Sequence, residues 1–312
     1  MYIFDSHIDT LSRLMEVDQT LTDNQGHVDL AKLRKNGKGA QFFAAFVSPT
    51  FYHGKALHNT LEMLDLFWQW MEEYPEYLAF AGSGADIVQI LNSGKMACLL
   101  AIEGGEALEG KLANLRMFYR LGVRLLTLTW NHRNDLASGA LEGNEGGGLS
   151  LFGQAVVDEM NKLGMLVDVS HLNEPGFWDV IRVSKSPVIA SHSNARALCD
   201  HPRNLTDEQV RAVADKGGVI GVNFCPAFLA KNRRATIHEV VQQIEYLVKV
   251  GGIECVGIGS DFDGINQTPL GLEHYGKTAE IGAILGERGY SESDVAKIMG
   301  GNLLRLCQTV LD

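Results

Sequence analysis

The chain has 312 residues, 46% of them apolar, and a net charge of −11 from 27 Lys and Arg against 38 Asp and Glu. That length suits one large α/β barrel or two smaller domains. An acidic chain without basic runs excludes nucleic acid as the expected partner, and no stretch approaches the roughly 18 uninterrupted apolar residues of a membrane span.

In chain order, the start MYIFD has no basic lead-in and no long apolar core, so no secretory leader is expected. A first strand is predicted over 2–9, ending in DSHID, which carries His7 and Asp9. Residues 39–49 form a second apolar run. A helical pattern follows over 59–75, with apolar Leu61, Leu64, Trp68 and Met71. Strands are then expected over 96–105, ending near Glu103, and over 123–132. Further strands are expected over 164–171, ending at His171, and over 187–193, which contains His192. Thr206 and Gln209 stand in capping-box spacing at the head of a helix over 205–218. Strands over 218–225 and 255–264 complete the set, the last carrying Asp261 and Asp263. Ser291 and Asp294 open a final helical segment over 291–311. Continuous apolar runs suit parallel strands covered on both faces. Eight of them alternating with helices favour a single (β/α)8 TIM-type barrel of one domain, 1–312. A doubly wound sheet is the second choice, but GxGxxG after the first strand is absent. The five cysteines show no CxxC spacing and read as reduced thiols of a cytoplasmic protein.

In such barrels the active site lies at the C-terminal strand ends, where the ligand-type residues of this chain collect. Alternation places His7 and Asp9 on one face of the first strand. A lone histidine near a core is ordinarily a hydrogen-bonded structural residue. Three histidines and two carboxylates together are costly to bury without a compensating partner, and metal ions supply one. The set His7, Asp9, Glu103, His171 and His192 is too large for one tetrahedral ion with an open position. It suits two zinc or similar divalent ions if one carboxylate is shared. His7 and Asp9 could hold one ion and His171 and His192 the other, with Glu103 between. Such a pair can share a hydroxide and make it a nucleophile for hydrolysis. No GxSxG elbow or Cys motif competes. Several binuclear hydrolase barrels bridge their metals with a modified lysine on the fourth strand; LLTLTWN has none. Asp261, first after its strand, is placed to take a proton from the water and pass it to the leaving nitrogen. Asp263 reads better as a turn aspartate.

These residues and their surroundings resemble the membrane (renal) dipeptidase family of zinc metallopeptidases, most of all its shorter soluble bacterial members. The resemblance runs nearly end to end through DSHIDT, HVDLAKLRKNGKGAQFFAAF, AIEGGEAL, LGVRLLTLTWNHRNDLASG, LVDVSHLN, PVIASHSNARALCDHPRNLTDEQV, GVNF, GIGSDFDG and GGNLLRL. It implies an amidohydrolase-like barrel and a binuclear dipeptidase with the ligands named above. It implies that Asp261 handles the proton and that Arg203, in HPRNL, receives the substrate's C-terminal carboxylate. A guanidinium fork suits that partner. It further implies tolerance of a D-residue at the C-terminal position, and a homodimer. Two positions depart from the family. Trp130 stands where the animal enzymes carry a substrate-holding histidine after TLT, and His132 is the expected substitute if the strand continues. Cys225 replaces a tyrosine after VNF. The animal enzymes are also secreted and lipid-anchored, signals not read in this chain. Two other functions fit the same scaffold: a metal-dependent amidohydrolase on N-acyl amino acids, and a non-catalytic binder.

Overall fold

The computed structural model describes residues 1–48 and 54–312; residue 49, the end of the predicted second strand, lies outside the described residues. The strands are β1 Ile3–Ile8, β2 Gly39–Phe46, β3 Leu78–Phe80, β4 Met96–Glu103, β5 Val123–Thr127, β6 Leu166–Asp168, β7 Val188–Ser193, β8 Val219–Val222 and β9 Val256–Ile258. Among the described residues the neighbouring strands all run parallel, and β1 pairs with both β2 and β9. With β2 also pairing β4, eight strands close on themselves in the order β1-β2-β4-β5-β6-β7-β8-β9. This is the (β/α)8 barrel. The ninth strand, β3, is an accessory. It pairs with β4 at Met96 to Cys98, below the point where β5 takes over at Leu100 to Glu103. Three residues are too few to show a strand period, so the sequence pattern did not reveal it.

Alternation sorts the strand side chains into two cores. On β2, Phe43 faces outward and packs edge-on against Phe67 and Trp70 of the helix Ala56–Glu73. Its neighbour Phe42 faces inward and stacks on Phe4 of β1 at 5.9 Å. Leu99, Leu125, Ile189 and Val219 join that inner cluster, closed below by Leu303 and Leu306 of the helix Asn302–Val310. Each such aliphatic side chain, fully buried, contributes about 1.5–3 kcal/mol relative to exposure. The inner layer fills the barrel beneath its mouth.

The helix Ala56–Glu73 buries Met63, Leu64, Phe67 and Trp70, while Leu61 is left 40% exposed. The predicted stripe was therefore turned by about one residue. Trp68 sits on the flank of the buried face, donating its indole N–H to the Leu121 carbonyl. The capping box at Thr206 and Gln209 is present as expected. Ser291 caps Asp294, but the final segment is not one regular helix. A π turn over Lys297–Gly301 interrupts it. Here Gly300 lies against the Tyr2 ring and the Phe4 backbone at the start of β1, where a Cβ would collide with the Tyr2 ring. Among the described residues, no helix is long and apolar enough to cross a membrane.

Candidate metal centre

Glu103, the last residue of β4, stands among four other polar side chains. Its Oε2 lies 3.6 Å from His7 Nε2, and that nitrogen is 3.2 Å from Asp9 Oδ2. Its Oε1 lies 2.9 Å from His171 Nε2 and 3.5 Å from His192 Nε2. One carboxylate thus presents a separate oxygen to each of two ligand sets. A third group of ligand atoms joins His7, His192 and Asp261, so the sets are contiguous. The structure brings all five predicted ligands together, each at most 7% exposed.

Local irregularities aim these side chains. Strand pairing slips between Asp5 and Ile8 on β1 and between Ala190 and Ser193 on β7, at His7 and His192. Such slips commonly re-aim side chains near active sites. The clean alternation expected for His7 and Asp9 therefore does not hold: β1 ends at Ile8. Asp9 begins the helix Thr10–Glu16 yet makes no capping hydrogen bond, which leaves its carboxylate to His7. His171 lies three residues beyond β6, on a left-handed residue with φ 67°, and Asp261 three beyond β9 with φ 64°. Each such conformation costs about 1 kcal/mol or more in a non-glycine residue.

Burial disfavours charge throughout, and the partners decide which groups carry it. Burial opposes protonation of His7, but Asp9 and Glu103 outweigh it and hold its pKa well above the ordinary histidine range. Burial raises the Glu103 pKa, but the charge of His7 outweighs it and holds this carboxyl well below the ordinary range. His171 and His192 are pushed down to about 3, by burial first and then by nearby Arg203 and His7, respectively. Neutral imidazoles are the ligand form.

The donor set fits divalent cations. His171 Nε2 and His192 Nε2 are 2.8 Å apart. The other nitrogen of each ring already has a partner: His171 Nδ1 is 2.9 Å from Asn131 Oδ1, and His192 Nδ1 is 2.8 Å from Ser191 Oγ. With the protons on Nδ1, two lone pairs and Glu103 Oε1 converge with no donor among them. Asp9 Oδ1 is buried without a hydrogen-bond partner. Cations relieve both conditions, and nitrogen with carboxylate oxygen suits zinc and its borderline neighbours.

A cavity of about 950 Å³ opens above this cluster, lined in part by Asp9, Glu103, His171 and Asp261. The Asp261 N–H donates to the His7 carbonyl, and Asn223 Nδ2 donates to Asp261 Oδ2 at 2.9 Å. Burial, then the Asp9 carboxylate, pushes the Asp261 pKa up to about 8. Gly264 closes the turn so tightly that a Cβ there would run into the Asp9 and Asp261 carboxylates. Asp263 spends its oxygens on Thr10 Oγ1 and the His27 N–H, at 2.7 and 2.6 Å, as a turn aspartate does.

Arg203 is buried, donates from Nη2 to the His192 carbonyl at 3.1 Å, and lies over the Phe228 ring. Trp130 lines the cavity, its ring 5.2 Å from Phe46 and 6.2 Å from His171. Cys225 lines it too. His132 is not brought there: it is exposed and pairs with Glu142 at 3.2 Å. β5 ends at Thr127, so strand alternation cannot carry a side chain five residues on. Sequence reasoning passed over Asn131 and Asn223. Both follow strand ends, and extending the search there from ionisable groups to amides would have found them.

The family model for membrane dipeptidase, peptidase family M19, matches residues 1–312. An uncharacterized dipeptidase of Schizosaccharomyces pombe is 38% identical over 296 residues, spanning 90% of this chain and 71% of the yeast protein. The crystal structure of a dipeptidase designated AC, an M19 metallopeptidase, superposes with a TM-score of 0.94 at 28% identity, covering 100% of this chain and 99% of that one. A metallopeptidase from Rhodobacter sphaeroides, solved with a phosphinate mimic of the dipeptide L-Ala-D-Ala, gives 0.92 at 28% identity over 99% of each chain.

Proposed function

The chain belongs to the membrane dipeptidase family of metallopeptidases, and from that premise we propose that it hydrolyses dipeptides at a centre of two zinc ions. His7 and Asp9 hold one ion, His171 and His192 the other, and Glu103 is shared. The observation that carries this reading is Glu103, with one carboxylate oxygen turned to each histidine set. When bound, such a pair supplies an activated water near neutral pH and a Lewis acid for the peptide carbonyl.

The chain's own side chains supply the rest. Asn223 ties Asp261 Oδ2, which leaves Oδ1 to accept a proton and return it to the departing amine. Arg203 receives the substrate's terminal carboxylate through its planar fork. The carboxylates of Asp9, Glu103 and Asp261 favour a free amino group. Holding both termini restricts the site to dipeptides. The L-Ala-D-Ala mimic bound by the Rhodobacter sphaeroides protein supports acceptance of a C-terminal D-residue. The single closed barrel supports one metallo-hydrolase domain over 1–312, and five free cysteines support a reducing, cytoplasmic setting.

The test pairs metal analysis with a panel of L-L, L-D and D-D dipeptides and N-acetyl amino acids. The reading expects close to two ions per chain and cleavage that requires a free amine. One tightly held ion per chain would remove the shared carboxylate. N-acetyl amino acids cleaved as fast as dipeptides would move the activity to N-acyl substrates.

A further inference from the structure

Asp168, at the end of β6, is fully buried, and nothing in the proposed chemistry uses it. Its carboxylate collects four donors. The Ser170 and Ser191 N–H groups donate to Oδ1, each at 2.9 Å. The Thr127 and Ser191 hydroxyls donate to Oδ2, each at 2.6 Å. Short hydrogen bonds from hydroxyls to an ionised carboxylate are among the strong ones.

The Ser191 hydroxyl has one proton, and Asp168 takes it. Toward His192, 2.8 Å away, Ser191 Oγ can therefore only accept. The proton between them must belong to His192 Nδ1. That fixes the tautomer in which Nε2 keeps its lone pair and faces Glu103 Oε1 and His171. The direction of the chain follows from counting protons along named contacts.

We infer that Asp168 is a positioning residue which, through Ser191, locks His192 as an Nε2 ligand and so sets the affinity of one of the two ions. The inference rests on the two-ion reading above. Ligating histidines generally hold their second nitrogen on such a partner, and losing it costs about 10–100-fold in metal affinity. His171 receives the neutral counterpart from Asn131. The two histidines of one ion are thus oriented by unequal partners, and the charged one serves His192.

A purely structural role is the rival account, since the same carboxylate also staples β5, β6 and β7 together. Three variants separate the two. Ser191→Ala removes the relay and keeps Asp168. Asp168→Asn lets an amide N–H face Ser191 Oγ, so the hydroxyl proton turns to His192 Nδ1 and the ring proton moves to Nε2. Thr127→Val removes a staple and leaves the relay intact. Zinc affinity is read ion by ion, by competition with a chromophoric chelator on metal-stripped protein, with Tm measured alongside. Ser191→Ala and Asp168→Asn should each weaken one ion by about 10–100-fold and spare the other, while Thr127→Val lowers Tm without changing either affinity. Wild-type affinities in Ser191→Ala overturn the inference, as does an equal loss in Thr127→Val. If Asp168→Asn does not fold, Ser191→Ala decides alone. The wild-type ion count tests the two-ion reading, whereas the ratio of variant to wild-type affinity tests the relay.

Discussion

The cavity has two unlike walls. One is formed by Asp9, Glu103 and His171, backed by the buried His7 and His192, with the ligand atoms of His7, Glu103 and His192 within 3.6 Å of a neighbour. The other is made by the loops after β5 and β8, where Trp130, Asn131, Cys225 and Phe228 face open space. The first wall is over-determined: each side chain there answers to several partners, so a change in one disturbs all. On the second wall Asn131 still orients His171, but Trp130, Cys225 and Phe228 carry none of the clustered ligand atoms and are left to shape whatever fills the cavity. Rigid strands carrying chemistry and variable loops carrying selectivity is a division this barrel type supports.

The sharpest break in that comparison should come at Glu103. Glu103→Gln keeps the shape but removes the charge that serves both histidine sets, so both ions should be lost and peptidase activity with them. Metal analysis showing two retained ions would contradict the shared role. Asp261 stands at the seam of the two walls. Asp261→Asn should preserve metal content while kcat falls by about 10²–10⁴-fold, the usual worth of a positioned acid–base group. Full activity in that variant would reassign the proton relay.

Arg203 is buried on a turn after β7, against the His192 carbonyl, yet its proposed partner is the substrate. Replacing it with Ala should raise KM for dipeptides by roughly 10–100-fold, the equivalent of ~1.5–3 kcal/mol for a hydrogen bond to a charged group. KM for the matching dipeptide amide, which lacks the carboxylate, should stay unchanged. Equal losses on both substrates would make Arg203 a support for His192, whose carbonyl it already meets.

A smaller effect follows from protonation. In the metal-free protein Asp9 and Glu103 overcome burial to keep His7 protonated, and burial with Asp9 keeps Asp261 protonated up to about pH 8. Cations must displace those protons, so zinc uptake should release them, and apparent affinity should rise with pH toward 8, by about tenfold per unit for each proton displaced. Calorimetry in buffers of differing ionisation enthalpy reads this directly. Binding without proton release would mean that His7 is neutral before metal arrives.

What could be read in the sequence divides along the same line. Eight strands were legible because both-face burial leaves continuous apolar runs, and the ligands because ionisable residues at the ends of such runs have no cheap structural excuse. Their exact carriers were less legible. His171 and Asp261 sit past their strands on left-handed residues, where no period reaches. His7 and Asp9 meet through a slip in pairing that apolar patterning does not record. Asp168 resembles any buried polar residue until Ser191 is placed beside it.

His132 is where the comparison makes its weakest demand and its clearest one. Assigned by spacing to the place of a substrate-holding histidine, it would belong to the cavity if β5 continued past Thr127. The strand stops there, the chain turns through Trp130 and Asn131, and His132 emerges to pair with Glu142 in solvent. An exposed pair of this kind contributes about 0–1 kcal/mol, so His132→Ala should leave kcat and KM within about twofold of wild type and stability nearly unchanged. Trp130→Ala, by contrast, removes a wall that touches both Phe46 and His171, and its loss should fall on KM and on the order of preference among dipeptides. Should His132→Ala instead cost activity while Trp130→Ala does not, the loop must close over bound substrate and carry His132 inward, and the second wall would then be part of the catalytic machinery.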